Sequence, residues 1–211
     1  MLHLIGDSFV TFFVVLDPIG TAAVFAGLMH GASDEARKRM AWRSTVIASL
    51  LLFAFASGGA LLFEVLGISI AAFRIAGGAL LFLLATDMVF ARPSGIRNPT
   101  GAEQEEAARS QDISVFPLAF PLLAGPGALT SVVLAIGQAH TFAAAGAVTG
   151  SLVAVLVLTL AALLSAKWLL QALGVTGANV VGRVLGIILA ALAAQYVIDG
   201  IGDVIHGFLA T

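Results

Sequence analysis

The chain has 211 residues, 60% of them hydrophobic and 10% charged, with a formal net charge of -2 and a mean hydropathy of +1.06. A soluble domain carries roughly a quarter charged residues, and a chain of this size leaves roughly a third of its surface exposed, so a lipid bilayer must be its partner over much of the exterior. The acidic balance excludes a basic nucleic-acid footprint, the absence of cysteine excludes disulfides and Fe–S centres, and four scattered histidines make no conventional zinc site.

A spanning helix needs about 20 apolar residues to cross roughly 30 Å of hydrocarbon. Six segments qualify, at about 4–29, 44–65, 69–91, 114–138, 141–166 and 179–205. Their apolar runs are continuous, where barrel strands would alternate. The expected fold is an all-α membrane protein of six transmembrane helices.

The first segment has no basic n-region and no clean cleavage site, so it reads as a retained span and not a signal peptide. It holds FFVVLDPIGTAAVFAGLM at 12–29, with a carboxylate, a proline and a glycine inside an apolar run. Proline lacks an N–H and clashes with the carbonyl four residues back, so Pro18 predicts an interruption; Gly20 eases the backbone out of helical angles. The following loop, HGASDEARKRMAWR, carries Arg37, Lys38, Arg39 and Arg43. The second span ends in FEVLG, with Glu64 near its outer end, a candidate partner for Arg74 across the short connection. The third span opens FRIAGGALLFLLA, whose small residues suit close helix packing in lipid.

Residues 92–113 read as a solvated linker between halves, with a short surface helix or a regulatory role as alternatives. The fourth span contains Gly125-Pro126-Gly127, a stronger breaker than the first, approached through Pro117 and Pro121. The sixth contains GRVLGIILAALAA with Arg183, and towards its outer end Gln195, Tyr196, Asp199 and Asp203. Arg74 and Arg183 have either a structural or gating role or simply snorkel to headgroups.

With six spans, every basic loop falls on one side, which should be cytoplasmic, and both termini face the periplasm. The chain also repeats. LDPIG at 16–20 answers AGPGA at 124–128, FEVLG at 63–67 answers LQALG at 170–174, and FRIAG at 73–77 answers GRVLG at 182–186. One membrane domain, 1–211, thus divides into halves of about 1–91 and 114–211. Three spans per half make the repeat inverted, as in many secondary transporters.

Two breaks at matching positions should meet near the midplane, where irregular backbone is tolerated only against protein or a watery cavity. Asp17 can accept from a substrate ammonium or cap a broken helix. Thr21, Thr130 and Ser131 offer hydroxyls, and helix N-termini after Pro18 and Pro126 offer N–H groups to a carboxylate. With the backbone of Gly20, Gly125 and Gly127, these groups form a candidate site for a small zwitterion. The alternative is a pair of kinks, their freed carbonyls satisfied by Thr and Ser, with Asp17 as a cap alone.

At these residues the chain resembles the MarC family of integral membrane proteins, also described as small neutral amino acid transporter-like. FVVLDPIGTAAVF at 13–25, FPLLAGPGALTSVV at 120–133 and FRIAGGALLF at 73–82 carry the resemblance, which covers essentially the whole chain. It implies a six-span inner-membrane protein related to the amino-acid exporter superfamily. The family often has a second proline soon after DP-x-G; here that neighbourhood holds Ala23, one kink fewer.

The expected function is secondary transport, in the direction of export, of a small neutral amino acid or similar polar metabolite, with H⁺ or Na⁺ coupling left open. The alternative is a non-transporting membrane scaffold or stress-related accessory protein. No acid–base, nucleophilic or metal constellation suggests an enzyme or a cofactor, and isolated polar residues do not line a channel. No feature of the chain sets an oligomeric state.

Overall fold

The computed structural model describes residues 2–90 and 112–209. Asp17 divides the first apolar segment into α1 (Leu2–Leu16) and α2 (Pro18–Leu28). The ladder survives on both sides of the break, because Asp17 N–H donates to Phe13 O and Thr21 N–H to Asp17 O, each at 2.9 Å.

The next helix, α3 (Asp34–Leu66), begins ten residues before the expected span and takes in most of the basic loop. Two features of the sequence explain the extension. Ser33 caps the helix by accepting from Ala36 N–H at 3.2 Å, and Asp34 and Glu35 lie in the first turn, where the helix dipole favours anions. At the other end Gly67 adopts φ 66, with Ile68 N–H donating back to Phe63 O at 2.8 Å, so the chain turns sharply into α4 (Ile70–Phe90).

Residues 91–111, most of the expected linker, lie outside the described residues. At its end Asp112 is fastened to Arg43 of α3 and accepts from both the backbone N–H and hydroxyl of Ser114. These Ser114 hydrogen bonds hold the Asp112 carboxyl below its ordinary range against the opposing effect of burial, and the guanidiniums of Arg43 and Arg39 add lesser contributions in the same direction.

The fourth segment is more irregular than expected. Its first part, α5 (Ser114–Leu123), has wide π-type turns, with Leu118 N–H reaching Ile113 O and Ala124 N–H reaching Ala119 O. Phe116 and Phe120 leave helical angles because each precedes a proline, which disfavours the α conformation. A bend of 55° then leads into α6 (Pro126–Gly137). The chain finishes with α7 (Phe142–Leu164) and α8 (Ala166–Leu209), the latter kinked at Gly174, φ 67. Helix α8 also starts earlier than expected, its first two turns bearing Lys167 and Trp168.

Five helical stretches among the described residues are long and apolar enough to cross a membrane: His3–Leu28, Asp34–Gly59, Ile70–Phe90, Phe142–Leu164 and Thr176–Phe208. The bent pair α5–α6 makes a sixth if it counts as one span. Exposed Leu50, Val65, Val157 and Ile187 give the outside the apolar character of a lipid-facing surface. Inside, Phe12, Leu16, Phe25, Leu81, Leu123 and Leu189 form one continuous core.

The packing is reciprocal. Segments α1–α2 pack against α7 and α8, segments α5–α6 pack against α3 and α4, and α4 packs along α8. Glycines permit the last contact. A Cβ on Gly78 would stand 2.8 Å from Ala193 O, one on Gly186 2.9 Å from Met88 Cβ, and one on Gly200 3.0 Å from Ala71 O. Backbones that close exploit the van der Waals packing that holds helices together in lipid.

Candidate functional site at the paired helix breaks

Asp17 has φ 40 and ψ 74, the only non-glycine residue with positive φ among those described, and it is 1% exposed. Asp tolerates this left-handed geometry when its side chain bonds locally. Here the carboxylate folds over the start of α2, and Gly20 N–H donates to Asp17 Oδ1 at 3.0 Å. Gly20 must be glycine for this to happen, since a Cβ there would collide with the Asp17 carboxylate. Pro18 occupies the first turn of α2, where a missing N–H costs nothing. The Thr21 hydroxyl donates to Leu16 O at 2.8 Å, replacing a backbone donor at the break. Both halves of the kink alternative, a capping carboxylate and a threonine satisfying a carbonyl, are thus present at the first break.

The second break differs in chemistry. Gly125, extended at φ -70 and ψ 173, caps α6 with no side-chain hydrogen bond, and Pro126 again takes the first turn. A Cβ on Gly125 would strike Pro121 O. Gly127 faces Leu81 and Leu84 of α4, with Val15 of α1 beyond. Thr130 and Ser131 are buried one turn further along, Thr130 against Gly77 of α4. Ser131 Oγ is fully buried and has no hydrogen-bond partner among the described residues.

The two breaks adjoin each other. Val15, two residues before Asp17, shares a cavity of about 20 Å³ with Pro121, Gly125, Pro126 and Gly127. That volume suits about one water molecule.

Arg74 is not placed as expected. It donates through Nη1 to Asp203 Oδ2 at 2.7 Å, and its side chain is 14% exposed. Glu64, the expected partner, is exposed at the end of α3. The correction has a packing cause: α4 lies along α8, bringing position 203 beside position 74, whereas the turn at Gly67 does not bring Glu64 to the guanidinium. Nearby, Gln195 donates to Asp199 on the same helix at 2.7 Å. Asp199 and Asp203 are four residues apart on one helix by sequence alone, yet only the helix pairing brings the cation to Asp203. Arg183, the repeat counterpart of Arg74, is exposed and has no ion pair among the described residues. No group of three or more potential metal ligands occurs among the described residues.

The model of the MarC family integral membrane proteins matches residues 2–205. The chain belongs to the MarC family. Relatives agree along nearly their whole length. A UPF0056 membrane protein of Archaeoglobus fulgidus is 36% identical, over 93% of this chain and 91% of its own. The Bacillus subtilis UPF0056 membrane protein YvbG is 32% identical over 95% of both chains, and YhcE of Escherichia coli is 30% identical over 95% and 93%. No solved structure matches the chain. What the family membership establishes is a multi-pass membrane protein.

Proposed function

We propose that this MarC-family protein is a secondary transporter, most simply an exporter, of small neutral amino acids or similar polar solutes across the inner membrane. The observation that carries the reading is the buried Asp17 at one helix break, two residues beyond the Val15 that lines a small cavity with the second break, whose helix N-terminus has no side-chain cap. A buried carboxylate within a span is costly and marks function more often than packing. Asp17 and Thr21 would receive the substrate ammonium. The α6 N-terminus at Gly125–Gly127, with Thr130 and the unpartnered Ser131 hydroxyl, would receive its carboxylate.

The reciprocal packing of the halves supports an inverted repeat of six spans, because a two-fold axis requires each broken segment to meet the other half's later helices. Gly67 and Gly174, matched in the repeat, adopt φ 66 and φ 67. In this reading both termini are periplasmic, and the conformation described is occluded, since about 20 Å³ does not admit an amino acid. Loading would require α1–α2 and α5–α6 to separate.

A second reading is a scaffold with no substrate, favoured by the local hydrogen bonds at the first break, from Gly20 N–H to Asp17 and from Thr21 to Leu16 O. Reconstitution decides between them. Purified protein in liposomes is offered radiolabelled Ala, Ser, Gly and Thr, with and without H⁺ or Na⁺ gradients. Transport of at least one, lost in Asp17→Asn with folding intact, is the expected result. Folded protein that neither binds nor moves any of them refutes amino-acid transport. Uptake unchanged in both Asp17→Asn and Ser131→Ala removes the site assignment while leaving transport standing.

A further inference from the structure

A larger cavity, about 650 Å³, lies away from the helix breaks, at the end of the bundle where α2 and α7 finish and α3 and α8 begin. Its rim is cationic: Arg37, Lys38 and Lys167 line it, with His30 beside them and Asp34 as the one carboxylate. Asp34 does not neutralise the rim. Its side chain is 83% exposed and among the described residues it forms an ion pair only with Arg37, at 3.6 Å. Arg37 is held in place by donating Nε and Nη2 to Met29 O at 3.3 and 3.2 Å. Lys38 and Lys167 are exposed and have no ion pair among the described residues.

The rest of the lining is apolar. Phe25, Leu163, Leu164 and Leu170 contribute, and Trp168, 70% exposed, stands at the edge. A soluble anion would use the rim and gain nothing from this apolar wall. Tryptophan and lysine together at the ends of apolar helices mark the headgroup level of a bilayer, and basic pockets between such ends suit anionic lipid headgroups. The early start of α8 supplies two of these groups, because Lys167 and Trp168 lie in the helical segment before the kink at Gly174.

We propose that this cavity is a binding site for an anionic phospholipid, with the phosphate on Arg37, Lys38 and Lys167 and the upper acyl chain along Phe25, Leu163 and Leu170. The site is independent of the central breaks, so it stands whether or not the protein transports amino acids.

The test uses Trp168 as its own reporter. The chain has two tryptophans, and Trp42→Phe leaves one. This full-length variant is reconstituted in phosphatidylcholine vesicles doped with phosphatidylglycerol or phosphatidylcholine brominated high on the acyl chain. Brominated phosphatidylglycerol should quench Trp168 more strongly at equal mole fraction, and saturably. Lys38→Gln and Lys167→Gln should each weaken the preference roughly fivefold, about the effect of one lysine near an anionic surface. Arg39→Gln, which removes a charge at the same end but outside the cavity, should leave it nearly unchanged.

Equal quenching by the two lipids overturns the proposal. An Arg39→Gln loss as large as that of Lys38→Gln also overturns it, by reducing the effect to diffuse attraction. Abolition of the preference by inorganic phosphate, against a control of matched ionic strength, would instead assign the cavity to a soluble anion.

Discussion

Asp17 and Gly20 work as one unit. The carboxylate can cap α2 only because position 20 has no side chain in its way, and the left-handed backbone at Asp17 is offset by that same hydrogen bond. Asp17→Asn keeps a capping oxygen and a residue tolerant of positive φ, so it should remain folded. Gly20→Ala displaces the carboxylate and should cost about 1 kcal/mol, the usual value of an N-cap, read as a lower melting temperature in detergent. Ser131 predicts the opposite. Its hydroxyl is buried without a partner, which costs roughly 1–3 kcal/mol in a folded protein. Ser131→Ala should therefore leave stability unchanged or raise it. If the hydroxyl awaits a ligand, the same variant lowers affinity while it melts no earlier, a combination that a purely structural serine does not produce.

Between elements, the α4–α8 pair carries both the tightest backbone approach and the Arg74–Asp203 ion pair. Removing one partner strands the other. Asp203→Asn should cost roughly 1–3 kcal/mol, because the nearly buried guanidinium keeps its desolvation and loses its charge partner. Unfolding in a mixed-micelle titration measures this, and Glu64→Gln in parallel should have almost no effect. The glycines of α8 predict a contrast within one helix. Gly186→Ala pushes a methyl towards Met88 and the Val89 backbone and should loosen the pair, whereas Gly182→Ala meets nothing within 4 Å. The latter should stabilise the helix by about 0.5–1 kcal/mol, the gain from removing glycine's backbone freedom. Equal effects of the two would show that α4 and α8 do not approach here.

For the molecule as a whole, orientation is the most direct expectation. The basic residues Arg37, Lys38, Arg39, Arg43 and Lys167 gather at the connections between spans, so the positive-inside rule predicts that this end faces the cytoplasm. Single cysteines at Ser33 and Thr211 report it against a cysteine-free background. In intact cells an impermeant thiol reagent should label position 211 and not position 33, and the reverse pattern would invert the topology.

How much of this architecture was legible before folding depends on the range of the forces involved. Membrane class, helical spans and the breaks at Pro18 and Pro126 follow from the sequence by itself. Each depends on local hydropathy or backbone sterics that act within a few residues. Even the early start of α3 was signalled locally, by Ser33, Asp34 and Glu35, although the charged loop composition pointed the other way. The wide turns of α5 lay implicit in Pro117 and Pro121, but their hydrogen-bond pattern did not. Only the tertiary structure decided that Arg74 pairs with Asp203 and not Glu64, that Ser131 is buried with no hydrogen-bond partner among the described residues, and that three cations and a tryptophan converge on one cavity. Those outcomes join residues far apart in the chain, 129 positions in the case of Arg74 and Asp203. Helix packing sets such distances, and hydropathy carries no information about which faces meet.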